Sequence, residues 1–455
     1  MRMSDLPPAA PSAQHDWLQR RGVRYCLPSY VDMHGVSKGK MVPIAHYAQM
    51  MGGSELCTGA ALDGVPQEIN DEEVAAHPDP ASCVVQPWQP DIAWFASDLW
   101  CEGRPFEPCS RNILKRVLGR AASLGYRVNF GIEAEFFVLR DLPGGGYAPV
   151  SDRHDLAKPA YDVARLLDNM PWLGDLVGAM NGLGWDVYSL DHEDGIGQFE
   201  IDFAYADALA MADRFTLFRR MAHEYARRHG HFATFMPKPY GDRAGSGAHF
   251  NLSLADAASG ANLFHDPADP SGRRLSRLGY RFIAGVLRHL PAICAVVAPS
   301  VNSYKRLIIR GSASGFTWAP VFVCYGGNNR TNTLRIPLAG GRVELRAADS
   351  GCNPYLGAAM TIAAGLEGIA EDLDPGPGHA ENMYLKTPEE LAALGVTTLP
   401  RSLGEAIDAF AADGLGRAVM GDRMADAWLA YKREEWHAYS VHVGDWEKAR
   451  YLKMF

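Results

Sequence analysis

The stretch RVNFGIEAEFFVLR, residues 127–140, constrains the fold more than any other part of the chain. Read with the period of two that is typical of a β-strand, it places only apolar side chains on one face from Val128 to Val138. The opposite face carries two carboxylates at adjacent positions, Glu133 and Glu135. Like charges so close together repel each other and lose hydration when they are buried. A single strand of this kind is usually a solvated sheet edge, so a functional interpretation requires that the pattern recur.

The pattern does recur later in the chain. Glu200, His249 and Glu344 each lie in a short stretch that alternates polar with apolar residues, and Glu193 lies in the loop just before the first of these. We expect these strands to present one polar floor beside an apolar core. Five carboxylates and one imidazole converging there repel one another strongly unless cations bind.

Divalent cations are therefore expected at this floor. Oxygen donors without a thiolate favour Mg²⁺ or Mn²⁺ over zinc, and either ion accepts one imidazole. The predicted ligands are Glu133, Glu135, Glu193, Glu200, His249 and Glu344.

Arginines cluster between residues 306 and 346, around the last of these ligands. A guanidinium group binds phosphate or carboxylate through two parallel hydrogen bonds, so the cluster indicates an anion site. Cations, arginines and a Gly-rich loop together indicate transfer of a phosphoryl group from a nucleotide. The sequence contains neither a GxxxxGK[ST] loop nor a Rossmann fingerprint. The arginines concerned are Arg306, Arg330, Arg335, Arg342 and Arg346.

Composition excludes several other classes of protein. The chain has 455 residues, of which 47% are hydrophobic and 21% charged, as is typical of a globular protein. A net charge of -9 argues against general nucleic-acid binding. No stretch approaches the roughly 18 consecutive apolar residues of a membrane helix, so no membrane association is expected. The eight cysteines form no CxxC pair and indicate free thiols in a reducing cytoplasm.

The order of elements predicts an α+β fold, because strands and helices interleave without a regular βαβ rhythm. We predict a disordered tail over residues 1–16, a β-rich N-terminal domain over 17–105 and a catalytic domain over 106–455. Helices are expected around residues 161–169 and, as one continuous helix, over 424–454.

Six motifs now identify a family resemblance that runs from about Tyr25 to the C-terminus. In order they are ExE at Glu133 and Glu135, HEDGIGQFE, MPKPYGDRAGSGAH, NSYKR, NNRTNTLRIP and RVELRAADSGCNPYL. The series resembles the glutamine synthetase family. The resemblance implies an N-terminal β-grasp domain, a catalytic domain with an antiparallel sheet surrounded by helices, and a homo-oligomeric ring, commonly a dodecamer. It also implies active sites between subunits.

The resemblance assigns roles to the matching positions. One metal ion would be held by Glu135, Glu193 and Glu200, and another by Glu133, His249 and Glu344. Each active site would hold two or three ions in total. The glutamate substrate would contact Arg306, Arg346, Gly245, Glu135 and His249. The ATP side would comprise Arg335, Arg342, Ser253 and Glu200, with Arg330 acting on the transferred phosphoryl group. Asp63 would be the amine-site aspartate, reaching across the subunit junction. The implied reaction activates glutamate as γ-glutamyl phosphate, and an amine then displaces phosphate.

One departure bears on the amine. Family members that use ammonia carry a flap of the form GFEAPV, whereas residues 315–321 read GFTWAPV, with Trp318 in place of the acid. An indole offers an apolar or cation–π wall to an alkylamine but cannot take its proton. Because an alkylamine of pKa about 10.4 arrives protonated, Asp63 is the remaining base. We therefore predict that the enzyme joins glutamate to methylamine.

Other departures leave every predicted metal ligand in place. Ala244 and Ala339 stand where an Asn and a Lys are usual, Asn251 replaces a second His, and the chain between Arg306 and the flap is longer. Tyr384, in NMYLKTPEE, resembles a loop tyrosine that some bacterial members adenylylate, although only part of that motif is present.

Three alternatives remain open at this point. The flap alignment could be displaced and another acid could fill the place, which would restore ordinary glutamine synthetase activity with ammonia. The amine could instead be a polyamine or ethanolamine. A non-catalytic relative is the third alternative, but such a protein should have lost metal ligands, and here all six are present.

Overall fold

The computed structural model describes residues 7–8, 10–151, 156–312 and 315–455. The helices are α1 (Pro11–Arg20), α2 (Tyr47–Met51), α3 (Ser110–Ser123), α4 (Val163–Gly182), α5 (Ala208–Arg228), α6 (Arg277–Val297), α7 (Ser303–Arg306), α8 (Pro354–Ala370), α9 (Pro388–Ala393), α10 (Leu403–Ala412), α11 (Leu415–Met420), α12 (Asp422–Ser440) and α13 (Asp445–Tyr451). The strands are β1 (Tyr25–Val31), β2 (Ser37–Gly39), β3 (Val42–Pro43), β4 (Glu55–Cys57), β5 (Val74–Pro78), β6 (Val84–Val85), β7 (Ile92–Cys101), β8 (Arg104–Pro105), β9 (Tyr126–Asp141), β10 (Tyr147–Pro149), β11 (Val187–His192), β12 (Gln198–Phe203), β13 (Ala206–Asp207), β14 (Phe232–Thr234), β15 (Ala248–Asp256), β16 (Arg310–Ser312), β17 (Gly315–Phe316), β18 (Phe322–Gly326), β19 (Asn332–Arg335) and β20 (Val343–Leu345).

The larger sheet is built around β9. Its strand order is β11-β12-β9-β15-β20-β19-β18, with β10, β13 and β14 also paired to β9. Every pairing in it is antiparallel except β18–β19, whose parallel register aligns Phe322 with Asn332. The predicted α+β fold with an antiparallel catalytic sheet is confirmed, apart from that pair. There the loop 327–331 runs back along β18 before β19 begins.

The apolar face of β9 is the centre of the main core. Its alternate residues from Val128 to Val138 are all buried, and α3 and α5 pack against them. Phe136 meets Phe218 of α5 edge to face, with ring centroids 5.6 Å apart. Because this face is committed to the core, the opposite face of β9 is left to carry the polar residues.

Helix α6 is long and apolar enough to cross a membrane by length and composition alone, although Arg281, Arg288 and His289 interrupt its apolar residues. However, 72% of the most apolar 18-residue stretch of this helix is buried inside the protein, so α6 is a core helix. Ser276 caps its start by accepting a hydrogen bond from the amide of Gly279. It packs against α8 where Gly285 faces Gly368, at a separation that leaves no room for a Cβ on either residue.

The smaller sheet lies in the N-terminal part, in the order β2-β1-β7-β5-β4. It ends at Pro105, and α3 begins at Ser110. The expectation of a disordered tail over residues 1–16 is wrong from Pro11 onward, because α1 occupies residues 11–20. Trp17 and Leu18 of α1 are buried in the core beneath this sheet, and their burial offsets the entropy lost when the segment becomes ordered. Residues 1–6 and 9 lie outside the described residues.

Two helix predictions need correction. The C-terminal helix is broken, since α12 ends at Ser440 and α13 starts at Asp445. β-branched Val441 and Val443 and the glycine at position 444 weaken helix formation between them. The helix expected around 161–169 starts at Val163, where Asp162 caps it, and it continues to Gly182.

All eight cysteines lie within the described residues, and none is paired with another. Seven are buried and Cys101 is partly exposed. This agrees with the free thiols predicted from their spacing.

Candidate active site

Four adjacent strands bring five of the six predicted metal ligands together, and Glu193 lies in the loop between β11 and β12. Glu200 of β12 lies opposite Glu135 of β9, and His249 of β15 lies opposite Glu133. On the next strand, β20, Glu344 lies opposite Asn251. Since directly opposed residues in an antiparallel pair have neighbouring side chains, the order β12-β9-β15-β20 produces one continuous acidic floor.

The ligand atoms fall into two triads whose members lie within 4.8 Å of one another. These are the two groups that the sequence predicts. The first triad is Glu133, His249 and Glu344, and the second is Glu135, Glu193 and Glu200.

In the first triad, His249 is the buried centre. Its Nδ1 is 3.0 Å from Glu133 Oε2 and 3.9 Å from Glu344 Oε1. Burial, followed by the charge of Arg346, lowers the pKa of His249 to about 3. The imidazole is therefore neutral at physiological pH, which is the form that binds a metal ion.

The second triad is strongly self-repelling. Burial, followed by the charge of Glu135, raises the pKa of Glu193 to about 8, and the same two causes raise the pKa of Glu200 well above its usual range. A bound cation would favour the ionised forms of these carboxylates and relieve the repulsion. The donor set therefore fits a hard divalent cation.

Backbone and amide groups orient the ligands. Glu135 Oε2 accepts hydrogen bonds from the amide of Gly247 at 2.8 Å and from Gln198 Nε2 at 3.1 Å. A Cβ on Gly247 would lie 2.6 Å from Arg306 Nη2 and 2.8 Å from His249 Nε2, so only glycine fits there. Gln198 and Gly247 are not among the site residues predicted from the sequence, although both lie inside the motifs quoted above.

Asn251, which replaces a histidine, joins a ligand to an arginine. Its Nδ2 donates to Glu133 Oε1 at 3.0 Å, and its Oδ1 accepts from Arg342 Nε at 2.8 Å. The substitution therefore orients Glu133 and preserves polar contact across the floor.

A cavity of about 220 Å³ opens above both triads. Gly245 and the predicted arginines other than Arg342 line it. Arg306 is buried, and its guanidinium donates to the carbonyl of Ala347 at 3.1 Å and to that of Arg346 at 3.0 Å. These bonds fix the planar group in place, so it presents a preformed positive surface.

A second cavity of about 410 Å³ lies farther along the same polar face, over Asn129, Asn251 and Ser253. Arg342 and Ser253 line it, and Glu133 and Asp202 line both cavities. Glu200 and Arg335 line the smaller cavity, and their assignment to ATP stays a prediction. They lie there because Glu200 belongs to the second triad and Arg335 Nη1 is 3.1 Å from Glu344 Oε2.

Trp318 lies at the mouth of the smaller cavity, with 51% of its surface exposed. Its backbone has a φ of 56°, a conformation that bulky residues adopt rarely. The longer chain before it forms a hairpin from β16 and β17, between which residues 313–314 lie outside the described part. Asp63 is exposed and does not line this cavity, so a role at the amine site requires a second subunit.

Tyr161, which was not predicted from the sequence as a site residue, lines the same cavity. Its φ of 63° and a 2.7 Å hydrogen bond from its amide to the carbonyl of His192 hold it just ahead of α4. Burial, followed by the charge of Glu193, raises the pKa of its phenol. No pattern in the sequence distinguishes this tyrosine, because its position depends on a turn rather than on a strand.

Comparison with known proteins agrees with this geometry. Residues 107–451 match the family described as "Glutamine synthetase, catalytic domain". The chain is 40% identical to the glutamate–methylamine ligase of Methyloversatilis universalis, over 98% of this chain and 100% of that protein. It is 38% identical to a glutamine synthetase of Rhizobium leguminosarum bv. phaseoli, over 94% and 96% of the two chains. A solved structure described as "GmaS/ADP complex-Conformation 1" superposes with a TM-score of 0.89 at 37% identity, covering 98% of this chain and 100% of that one.

Proposed function

Because the chain belongs to the glutamine synthetase family of ATP-dependent ligases, we propose that it joins the γ-carboxylate of L-glutamate to methylamine. The products are γ-glutamylmethylamide, ADP and phosphate, and γ-glutamyl phosphate is the intermediate. The observation that carries the proposal is the pair of ligand triads on adjacent strands, beneath a cavity walled by arginines and by Trp318. The methylamine ligase of M. universalis, similar over its full length, supports this amine.

The two triads would each hold Mg²⁺ or Mn²⁺, with two or three ions in the whole site. Bound cations neutralise phosphate oxygens during phosphoryl transfer. Support for these ions comes from the neutral His249 and from the mutual repulsion of Glu193 and Glu200.

The chain's own residues then position the two substrates. Glutamate lies in the smaller cavity, where Arg306 and Arg346 bind its carboxylates and the bare backbone of Gly245 permits close approach. ATP lies in the larger cavity beside Arg342 and Ser253. The two cavities meet at the floor, so the γ-carboxylate of glutamate faces the terminal phosphate.

Transfer makes one bond and breaks one bond at phosphorus. A γ-carboxylate oxygen attacks the γ-phosphorus, the bond to the bridging oxygen breaks, and ADP leaves. Arg330 and Arg335 lie in the cavity, where they stabilise the charge on the transferred group.

The amine enters past Trp318 and Tyr161, whose rings give its methyl group an apolar wall. Asp63 of a neighbouring subunit takes the proton of methylammonium, and the free amine attacks the γ-carbonyl carbon as phosphate departs. Exposure of Asp63 on its own subunit supports this arrangement. The role of Asp63 requires a homo-oligomer, which we propose to be a dodecameric ring in the cytoplasm.

Phosphate release tests the proposal. Purified enzyme with ATP, Mg²⁺ and glutamate is given ammonium, methylamine, ethylamine or putrescine at matched concentrations. We expect methylamine to give the highest kcat/KM. Ammonium ahead by a wide margin would refute the amine assignment, and no release with any amine would refute catalysis.

Ordinary glutamine synthetase activity is the second candidate. Asp194 and Asp202 line the same cavity as Trp318, so acids from outside the flap are available to an ammonium ion. The glutamine synthetase of R. leguminosarum is also nearly as similar to this chain as the methylamine ligase is. The same assay decides between the two.

A further inference from the structure

Hydrogen bonds at several points hold the segment that carries Trp318, including one from the amide of Leu399 to the carbonyl of Val321 at 2.8 Å. Thr317 makes two hydrogen bonds to the segment just before β16. Its amide donates to the carbonyl of Ile309 at 3.1 Å, and its hydroxyl donates to the carbonyl of Ile308. The carbonyl of Pro320 accepts from the hydroxyl of Thr333 at 2.8 Å. Between Thr317 and Pro320, a further hydrogen bond reaches the residue next to Trp318.

That hydrogen bond comes from a distant part of the chain. The hydroxyl of Tyr384 donates to the carbonyl of Ala319 at 2.8 Å. Ala319 is buried and lines the smaller cavity, whereas Tyr384 lines neither that cavity nor the larger one. The phenol ring packs against Phe322 with centroids 6.2 Å apart, so the hydroxyl is directed at the flap from behind.

The segment around Tyr384 is itself fixed to the loop that carries Arg330. Asn329 donates to the carbonyl of Glu381 at 2.8 Å, and the amide of Met383 donates to Thr331 Oγ1 at 3.3 Å. Residues 379–385 therefore connect two loops of the cavity through hydrogen bonds. One loop holds the arginine at the transferred phosphoryl group and the other holds the indole at the amine entrance.

We propose that Tyr384 is a positioning residue for amine selection, acting through the backbone of Ala319 to hold Trp318 at the entrance. The proposal rests on the proposed function, because it takes the Trp318 wall to select the amine. Trp318 needs such support. Its positive φ is a costly conformation for a tryptophan, and half of its surface is exposed rather than packed against the protein.

The same bond bears on the motif around Tyr384, which resembles a loop that is adenylylated in some relatives. Here the hydroxyl is already donated to a backbone carbonyl, and burial raises the pKa of the phenol. The hydroxyl of Tyr384 therefore binds the backbone of the flap and is not directed to solvent.

The variant Tyr384→Phe removes only the hydroxyl, and Tyr325→Phe is its matched control. Tyr325 is buried where Tyr384 is partly buried, and its hydroxyl also donates to a backbone carbonyl, that of Gly376 at 2.7 Å. It lines neither of the two cavities above the floor. Both variants lose one hydrogen bond of the same kind, so a merely structural effect would be the same in both.

We expect Tyr384→Phe to raise the KM for methylamine roughly 3- to 10-fold, as the loss of one hydrogen bond implies. The KM values for glutamate and ATP should stay within about twofold, and the ratio of kcat/KM for methylamine over ammonium should fall. Tyr325→Phe should change none of these. Hydrogen exchange of residues 317–321, read by mass spectrometry, should accelerate in Tyr384→Phe alone.

A double-mutant cycle with Trp318→Ala completes the test. If Tyr384 acts through Trp318, removing its hydroxyl should have little further effect on amine selectivity once the indole is gone. Additive effects, or equal amine KM values in Tyr384→Phe and Tyr325→Phe, would overturn the proposal. If the proposed function is wrong, the wild type will prefer ammonium, which is a separate result. The hydrogen-exchange rates of residues 317–321 then still decide whether Tyr384 holds the flap.

Discussion

At the scale of single residues, Glu344 links the metal floor to the arginines. It is fully buried, yet its carboxylate has Arg346 at 2.9 Å and Arg335 at 3.1 Å as well as His249 beside it. A buried carboxylate requires such partners, because its desolvation is otherwise uncompensated. The arginines thus make it possible to keep an acidic ligand at the base of the cavity.

Replacing Glu344 by glutamine should remove a ligand while keeping the shape of the side chain. We expect kcat/KM to fall by at least about 100-fold, beyond the 10- to 100-fold typical of groups outside the ligand set. The rise in Tm that Mn²⁺ gives the wild type should shrink as well, because binding to the native state is the source of that rise. Glu390→Gln, in the exposed capping box of α9, is the control and should leave both quantities unchanged. Full activity with an undiminished Mn²⁺ shift in Glu344→Gln would refute the ligand assignment.

His289 predicts a pH-dependent contribution to stability away from the active site. Burial lowers its pKa, but Asp413 and Glu367, each within 2.8 Å, outweigh burial, so the pKa is raised overall. A raised pKa means that the contribution is fully present below the unfolded value of about 6.5 and is lost as pH rises through the folded value. The Tm difference between wild type and His289→Gln should therefore be largest near pH 6 and diminish above neutrality. A difference that grows with pH would contradict this.

At the scale of elements, β9 explains how two acids can be adjacent without being redundant. Glu133 pairs across to β15 and Glu135 pairs across to β12, so each belongs to a different triad. The strand's other face is core, which fixes the register, since a slip of one residue would bury the acids. The position of both candidate metal sites therefore follows from the alternation along one strand.

The ligands could be predicted from sequence because each lies in a stretch with period-two alternation or in a recognisable motif. The positions of Tyr161 and Tyr384 could not be predicted from such patterns. Their positions depend on a turn with positive φ and on a contact between segments 65 residues apart. Helix α1 was missed because its stability comes from Trp17 and Leu18 packing on a distant sheet, and the local sequence does not show that packing.

The contact between α6 and α8 gives a prediction at this scale. A Cβ on Gly285 would lie 2.0 Å from the carbonyl of Ala364, so the helices would have to separate. We expect Gly285→Ala to lower the free energy of unfolding by about 1–3 kcal/mol. Gly178→Ala, in α4 with open space around it, should instead be neutral or stabilising by up to about 1 kcal/mol. Thermal unfolding of the two variants measures both, and equal Tm values would argue against close helix packing.

At the scale of the whole molecule, a buried ion cluster joins the N-terminal sheet to the rest of the chain. Arg111 of α3 contacts Asp98 and Asp79 at 2.7 Å and Asp213 of α5 at 3.0 Å. Breaking such a group leaves uncompensated buried charges, which is more costly than losing the pair as a whole. The cluster therefore fixes how the two sheets lie against each other.

Arg111→Met should lower the free energy of unfolding by about 3–5 kcal/mol. Arg423→Met is the matched control, because the Arg423–Asp71 pair also spans the two parts but is exposed, and such pairs contribute about 0–1 kcal/mol. Denaturant unfolding at fixed protein concentration checks the difference. Similar midpoints for the two variants would show that the buried cluster does not hold the junction.

The central claim, that this fold makes a γ-glutamyl ligase whose amine is selected at Trp318, is tested most directly by competition. The enzyme is given ATP, Mg²⁺ and glutamate with equal concentrations of methylamine and ammonium at neutral pH, and the two products are quantified by mass spectrometry. We predict that γ-glutamylmethylamide predominates and that Trp318→Glu moves the ratio toward glutamine. Glutamine as the main product of the wild type, with a ratio that Trp318→Glu leaves unchanged, would contradict the account.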